Sequence, residues 1–312
     1  MRKLELILPV GTQVVARREV STGAGTPLAP AGAVGRIVSA PADGTHAYRV
    51  RMVDGAELSL TRSEIVIRKH LQAEALAEIC GALGEHGLRE HVILRAVVGS
   101  RAYGLENDAS DVDRRGVYLP PAELHWSLYG VPEQLESQAS EECYWELGKF
   151  LMLALKANPN ILEVLYTPLV EHASPIAAEL LRERHRFLSR IVYGTYNGYV
   201  MSQFRKLEAD IRVAGAPKWK HAMHLIRLLI GGITALREGH VPVRVEEHRE
   251  ALLHIRSGAA SWDETNQWRL ALHRDFDAAL AATRLPERPD YGWANDYLIR
   301  ARRGAVSKEN GG

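Results

Sequence analysis

Val97-Val98-Gly99-Ser100-Arg101-Ala102-Tyr103-Gly104 runs from an apolar stretch into a Gly-Ser pair, and Ser110-Asp111-Val112-Asp113 follows shortly after it. The apolar run from Val92 to Val98 predicts a strand feeding directly into the turn, and a second strand is expected around Val112 to Leu119. Glycine at 99 removes the side chain at a point of close backbone approach, while Ser100 adds a hydroxyl and an amide suited to phosphate oxygens. Asp111 and Asp113 are two apart, so on a strand both carboxylates face one way while Val112 faces the core. Two carboxylates on one face, with a third from a neighbouring strand, suit a pair of divalent cations about 3.5–4 Å apart. One ion would activate an attacking hydroxyl and the other would steady a pyrophosphate leaving group, which points to nucleotidyl transfer from a triphosphate. The rival phosphate motifs are missing. Leu105 follows Gly104 where a P-loop would need lysine, and no G-x-G-x-x-G occurs.

Upstream, residues 8–68 read as β-structure. Val14 and Val15, Val34 to Val38, Tyr48 to Val53 and Leu58 to Leu60 are strand-like pieces separated by turn residues. In Tyr48-Arg49-Val50-Arg51-Met52 apolar and basic residues alternate, so one face is buried and the other wet. Asp54-Gly55 follows as a hairpin signal with two positions that tolerate positive φ. About five short strands in this span predict a small SH3-like barrel, serving either as a surface for RNA or protein or as a packing module. A helix is expected over 69–83, where Leu71, Ala75, Leu76, Ile79 and Leu83 recur at helical spacing.

Downstream, the pattern is helical from about 143. Asn158-Pro159 and Ser174-Pro175 pair an N-cap with proline at the first helical position, and Ser261-Trp262-Asp263-Glu264 is a capping box. Lys220, His224 and Arg227 share one stripe of a helix whose other stripe is Leu225, Leu228 and Leu229. That stripe is either a wet face or a functional one. His221 and His224 as a metal pair lack a third ligand. Tyr193, Tyr196 and Tyr199 recur every three residues, which favours core packing over an aromatic platform for a base. Arg101, Arg114 and Arg115, with Lys149 and Lys156 from the next helix, could add positive potential near the phosphate site.

Composition narrows the classes. With 312 residues, 46% apolar and 25% charged, the chain can bury a sizeable core. A net charge of +1 excludes a wholly basic nucleic-acid binder, so any such contact must be local. The two cysteines, Cys80 and Cys143, belong to no CxxC pair, which argues against structural zinc and a disulfide framework. The apolar run near Met1 is too short for a secretory signal, and no stretch is long enough for a membrane span. A cytoplasmic protein without a membrane partner is expected; oligomeric state is not encoded in any motif.

The order apolar strand, Gly-Ser, Asp-x-Asp resembles the DNA polymerase β-like nucleotidyltransferase superfamily. Within it the chain is similar to the RlaP group, predicted nucleotidyltransferases associated by name with RNA repair. Ser110 to Val117, Lys149-Phe150-Leu151 through Lys156-Ala157-Asn158-Pro159-Asn160, and His221 to Leu229 carry the likeness, with Leu285-Pro286-Glu287-Arg288-Pro289 as a weaker fourth stretch. It covers about 90–300. The barrel-like residues 1–68 lie outside these motifs, and their role is not carried over; with them the chain is expected to be α/β + α. The resemblance implies a polymerase-β-type catalytic palm over 69–170 and a helical domain over 171–312 closing the cleft. It implies catalysis and Mg²⁺ binding (Mn²⁺ as the alternative) by Asp111, Asp113 and a third acid just before the next helix. Glu141 is the first choice for that acid and Glu142 the alternative, since strand parity lets one of them face the site. Gly99, Ser100, Arg101 and Ser110 are expected at the nucleotide, joined by Lys220 and Arg227 at triphosphate or acceptor and His224 at base or ribose. NTP would be the donor and an RNA 3′ end the favoured acceptor. The alternatives are a small-molecule or protein acceptor, and a catalytically silent nucleotide- or RNA-binding module.

Overall fold

The computed structural model describes residues 7–21, 27–41, 46–68, 87–107, 110–128, 130–137 and 140–307. Two compact units, Met1–Leu83 and Gly84–Gly312, make up the chain. The helix expected over 69–83, and Cys80 within it, lie outside the described residues.

In the first unit, β1 (Gln13–Ala16) is followed by β2 (Val20–Ser21) and β3 (Pro27–Ala29), which pair with each other. Then come β4 (Val34–Ser39), β5 (Tyr48–Met52), β6 (Glu57–Leu60) and β7 (Ile65–Ile67). The main sheet is antiparallel in the order β6-β5-β4-β1-β7. Residues of β5 alternate buried and exposed as their sequence predicts. Among the described residues the SH3-like barrel is not formed. A 3-10 turn at Arg62–Glu64 carries the chain from β6 to the far edge, where Ile65-Val66-Ile67 adds beside β1, and the sheet stays open. At the β5–β6 hairpin Gly55 takes positive φ (89°), while Asp54 accepts from the Ala56 amide at 3.0 Å. A single left-handed residue therefore suffices for this turn, not two.

The second unit begins its sheet with β8 (Val92–Val97), then α1 (Gly99–Tyr103), β9 (Arg114–Tyr118), α2 (Ala122–Trp126), β10 (Gln134–Ser137) and β11 (Glu142–Glu146). Next are α3 (Leu147–Leu155), α4 (Pro159–Tyr166), β12 (Val170–Ala173) and α5 (Pro175–Arg182). Then follow α6 (Ile191–Ala214), α7 (Trp219–Glu238), α8 (Arg249–Arg256), α9 (Trp262–Ala282) and α10 (Tyr291–Ser307). The sheet order is β10-β11-β9-β8-β12, antiparallel except for the parallel pair β9–β11. The caps at Asn158, Ser174 and Ser261 form as their sequences predict.

Two elements depart from the helical reading of the region after 143. Glu142–Glu146 is a strand because Cys143, Tyr144 and Trp145 are buried between β9 and β10. Glu146 is not helical; it caps α3, accepting from the Lys149 amide at 3.0 Å. Val170–Ala173 forms an exposed edge strand antiparallel to β8. One hydrophobic core then runs from the sheet (Leu94, Val117) through α3 and α4 (Phe150, Leu162) to α7, α9 and α10 (Leu229, Phe276, Tyr297), continuous across residue 170. Among the described residues, no helix is long and apolar enough to cross a membrane.

Gly116 holds the middle of the sheet. It lies opposite Arg95 on β8 and Tyr144 on β11, and a Cβ there would collide with the Leu94 carbonyl oxygen, which belongs to backbone and cannot rotate away. Gly116→Ala is expected to lose at least about 1–3 kcal/mol of stability as an overpacked site, read as a lower denaturant midpoint with unchanged m-value.

Candidate active site

The end of β8 is fixed from both sides. The Val98 amide donates to the Asp113 carbonyl at 2.9 Å, and the Thr167 hydroxyl donates to the Val97 carbonyl at 2.7 Å. The chain then turns at Gly99, whose φ of 73° favours glycine, and a Cβ at that position would collide with the Asp113 carboxylate. Glycine is therefore required twice, by the turn and by the approach of a carboxylate. After α1, Gly104 (φ 72°) ends the helix in the left-handed conformation.

Local hydrogen bonds shape the loop that carries the two aspartates. The Ser110 hydroxyl donates to Asn107 Oδ1 and accepts from the Asn107 amide, both at 2.9 Å. Arg101 donates to the carbonyls of Ser110 (2.8 Å) and Asp111 (3.3 Å). Arg101 and Ser110 thus spend these groups on holding the loop, although Ser110 also lines the cavity described next. Asp111 and Asp113 come just before β9 and not within it, so the strand alternation expected for them does not apply.

Asp111, Asp113, Gly99 and Ser100 line a cavity of about 500 Å³, within the range of small-molecule sites. Arg115, with a guanidinium nitrogen 4.0 Å from Asp113 Oδ1, shares the wall, as do Lys220, His224 and Arg256. Arg256 also donates to the Leu105 carbonyl at 2.6 Å, Arg249 donates to the Gly104 carbonyl at 2.8 Å, and the Val245 amide donates to the Tyr103 carbonyl. The helical region thereby grips the C-terminal end of α1.

Beneath the wall, Glu163 of α4 accepts from Tyr103 (2.6 Å) and from Arg227 of α7, and the Arg227 guanidinium lies 3.7 Å from the centre of the Tyr103 ring. Glu163 and Arg227 are 6% and 8% exposed. Burial alone would weaken the charged form of Arg227, but Glu163 and Tyr103 outweigh it and hold its pKa above the ordinary arginine value. Burial is the main cause raising the Tyr103 phenol. His224 is held neutral, its pKa lowered to about 3 by burial and by the neighbouring charges of Arg227 and Lys220.

The expected stripe thus divides. Lys220 and His224 reach the cavity, whereas Arg227 is committed to Glu163 and is not among the lining residues. His221 does not join His224; it meets Asp210 at 3.0 Å, which also pairs with Lys218. Arg114 pairs with Glu171 and Lys149 with Glu133, and neither they nor Lys156 line the cavity. Tyr196 is buried, Tyr193 packs on Phe276 and donates to Asp277, and Tyr199 accepts from Asn158, so all three serve packing. Glu141 lies exposed at φ 51° just before β11, outside the lining set, and its carbonyl accepts from the Arg114 amide at 3.2 Å. Glu142 pairs with Arg89 at 3.1 Å. Sequence reasoning missed Glu163, Asn107, Asn160, Trp145 and Arg256 as lining residues. For Glu163 a signal existed: a lone acid in the otherwise apolar run Ile161 to Tyr166 must have a buried partner.

Residues 67–300 match the RNA repair pathway DNA polymerase beta family, RlaP, and the chain belongs to that family. Membership suggests a polymerase-β-like nucleotidyltransferase in RNA repair. The chain is also similar to the uncharacterized protein YcgL of Bacillus subtilis (strain 168), with 35% identity over 88 residues. That alignment takes in 27% of this chain and 34% of the relative, so it spans about a third of YcgL.

Two outcomes are expected. Glu163→Gln leaves Arg227 charged and without its carboxylate, and should cost about 3–5 kcal/mol, whereas Glu163→Gln with Arg227→Met should recover part of that loss in chemical denaturation. His224 takes up a proton near pH 6.5 when unfolded but only near 3 when folded. The unfolded chain binds more protons between those values, so this group's contribution to stability falls as pH drops from 6.5 towards 3 and is constant above 6.5. His224→Gln should therefore flatten the melting temperature's pH dependence in that window relative to wild type.

Proposed function

We propose that the chain transfers a nucleoside monophosphate from an NTP to the 3′ hydroxyl of an RNA. The hydroxyl oxygen bonds to the α-phosphorus, the bond to the bridging oxygen breaks, pyrophosphate leaves, and the hydroxyl proton passes to solvent. The observation that carries this reading is the convergence of Gly99, Ser100, Asp111 and Asp113 with Lys220, Arg115 and Arg256 on one cavity. The RNA acceptor rests on the family.

Mg²⁺ fits the donor set. Among the described residues no cluster of three His, Cys, Asp or Glu side chains suits a metal ion, but Mg²⁺ is commonly held by one or two carboxylates together with substrate phosphates. Asp111 and Asp113 would hold it, with Mn²⁺ as an alternative. When bound, the ion would neutralise phosphate charge and make the attacking hydroxyl more acidic. The side chain absent at Gly99 lets the Asp113 carboxylate close against the turn, and the Ser100 hydroxyl would donate to phosphate oxygens. Lys220, Arg115 and Arg256 offset the triphosphate's charge. Neutral His224 offers a hydrogen bond to base or ribose without adding another positive charge.

For the third carboxylate we propose Glu141, which stands outside the residues that line the cavity but next to them in the chain path. Glu142 and Arg114 are paired across β11 and β9, so Glu141 and Asp113 are the next residues on each side. The Arg114 amide donates to the Glu141 carbonyl at 3.2 Å, so the Glu141 backbone lies beside the residue that follows Asp113, whereas the Glu142 side chain is taken up by Arg89. A non-glycine residue at positive φ is uncommon and clusters at functional sites, which supports the same reading.

Incubation with each labelled NTP and a mixed pool of RNA, protein and metabolites should label RNA; label on another class would overturn the acceptor. Asp111→Ala with Asp113→Ala should abolish pyrophosphate release while the circular dichroism spectrum is kept. Unchanged turnover would refute the metal assignment. Glu141→Gln should lower kcat by about 10²-fold or more, on the scale of losing a charge-stabilising group, while Glu142→Gln should stay near wild type.

A further inference from the structure

The open sheet of the first unit packs Val14, Ile37, Val50 and Leu58 on one side, and on the other side β4 and β5 carry exposed arginines. Arg49 and Arg51 project from the exposed positions of β5, with side chains 66% and 58% exposed. Arg36 is the corresponding exposed residue of β4 and lies directly opposite Arg51 in the register. Gln13 of β1 lies opposite Arg36 in turn, and exposed Arg68 donates to its side-chain oxygen at 3.2 Å. Adjacent strands are about 4.8 Å apart, so these groups form one band across the sheet. Glu57 of β6 accepts from Arg51 at 2.8 Å and lies 3.8 Å from Arg49, and it is the acid that the register sets against this band.

Two features of the band point to a ligand. Like charges directly opposite each other on neighbouring strands destabilise a sheet, yet Arg36 and Arg51 are so placed. The cations are also all of one kind: residues 1–68 hold eight arginines and a single lysine. Arginine's planar fork, rigid and always charged, matches phosphate oxygens in pairs, which a lysine ammonium cannot do.

We propose that this face binds the phosphate backbone of single-stranded RNA, the acceptor in the reading above, on which the choice of RNA over other polyanions rests. The one aromatic residue of β5, Tyr48, is buried on the opposite side of the sheet. No ring stacks on bases from this strand, and the contact is to phosphates, independent of base sequence.

The test is fluorescence anisotropy with the full chain and labelled twelve-nucleotide RNAs of different sequence, across a series of salt concentrations. The triple variant Arg36→Gln, Arg49→Gln, Arg51→Gln should bind every sequence at least ~10-fold more weakly. Its log Kd against log salt slope should be shallower by about 2, at roughly 0.7 per single-strand phosphate contact. The matching triple lysine variant should keep most of the slope, which separates charge loss from misfolding. Unchanged affinity and slope in the glutamine variant would overturn the proposal, as would tighter binding of a polyglutamate peptide than of RNA at equal charge. Because binding is read without turnover, RNA held by this face in a chain that releases no pyrophosphate would refute the transfer reading and leave this surface standing.

Discussion

Glu163 and Arg227 are both charged and both almost without solvent, and removing either would strand the other in a low-dielectric interior. Three elements that carry the cavity meet at this pair: α1 through Tyr103, α4 through Glu163 and α7 through Arg227. Lys220 and His224 lie on the same stripe of α7, so anchoring Arg227 sets where they project. At its other end α1 begins at Gly99, against the Asp113 carboxylate. A buried ion pair is a weak source of net stability, but it discriminates strongly against displaced arrangements of the helices it joins.

What the sequence revealed depended on how local each signal was. Gly99, Ser100, Asp111 and Asp113 sit within fifteen residues, joined by a loop that bonds to itself and to α1, and all four line the cavity. The caps at Asn158, Ser174 and Ser261 were legible for the same reason, since a cap satisfies amides two or three residues away. Arg227 was harder. Helical periodicity identifies a stripe but not what covers it, and here α1 and α4 cover the last residue of the stripe while the cavity keeps the first two. Barrel closure failed on the same ground: strand segments can be read from alternation, but which edges pair depends on where the connection after Leu60 leads. Periodicity alone reads helix from about 143, whereas Glu142–Glu146 is a strand: buried on both faces, it shows no alternation to distinguish it.

The polar groups around the two aspartates divide their work between shape and charge. Ser110, Asn107 and Arg101 bond to one another and to loop carbonyls, so they fix where Asp111 and Asp113 stand. Lys220 and Arg115 remain at the wall as charge. Such a division keeps a site preorganised, because the groups that position the carboxylates are not the ones that must rearrange around a ligand.

The carbonyls at the end of α1 are met by Arg249 and Arg256, which lie 145 and 151 residues further along the chain. During synthesis at roughly 5–20 residues per second, those arginines emerge from the ribosome roughly 7–30 s after the loop they secure. Until then the Gly104 and Leu105 carbonyls have only water as partner for these bonds. The central strands can pair much earlier, because β8 and β9 are close in sequence. The nascent chain therefore passes through a long interval in which the sheet can exist while the cavity wall cannot, and the site is completed only by its most distant contacts.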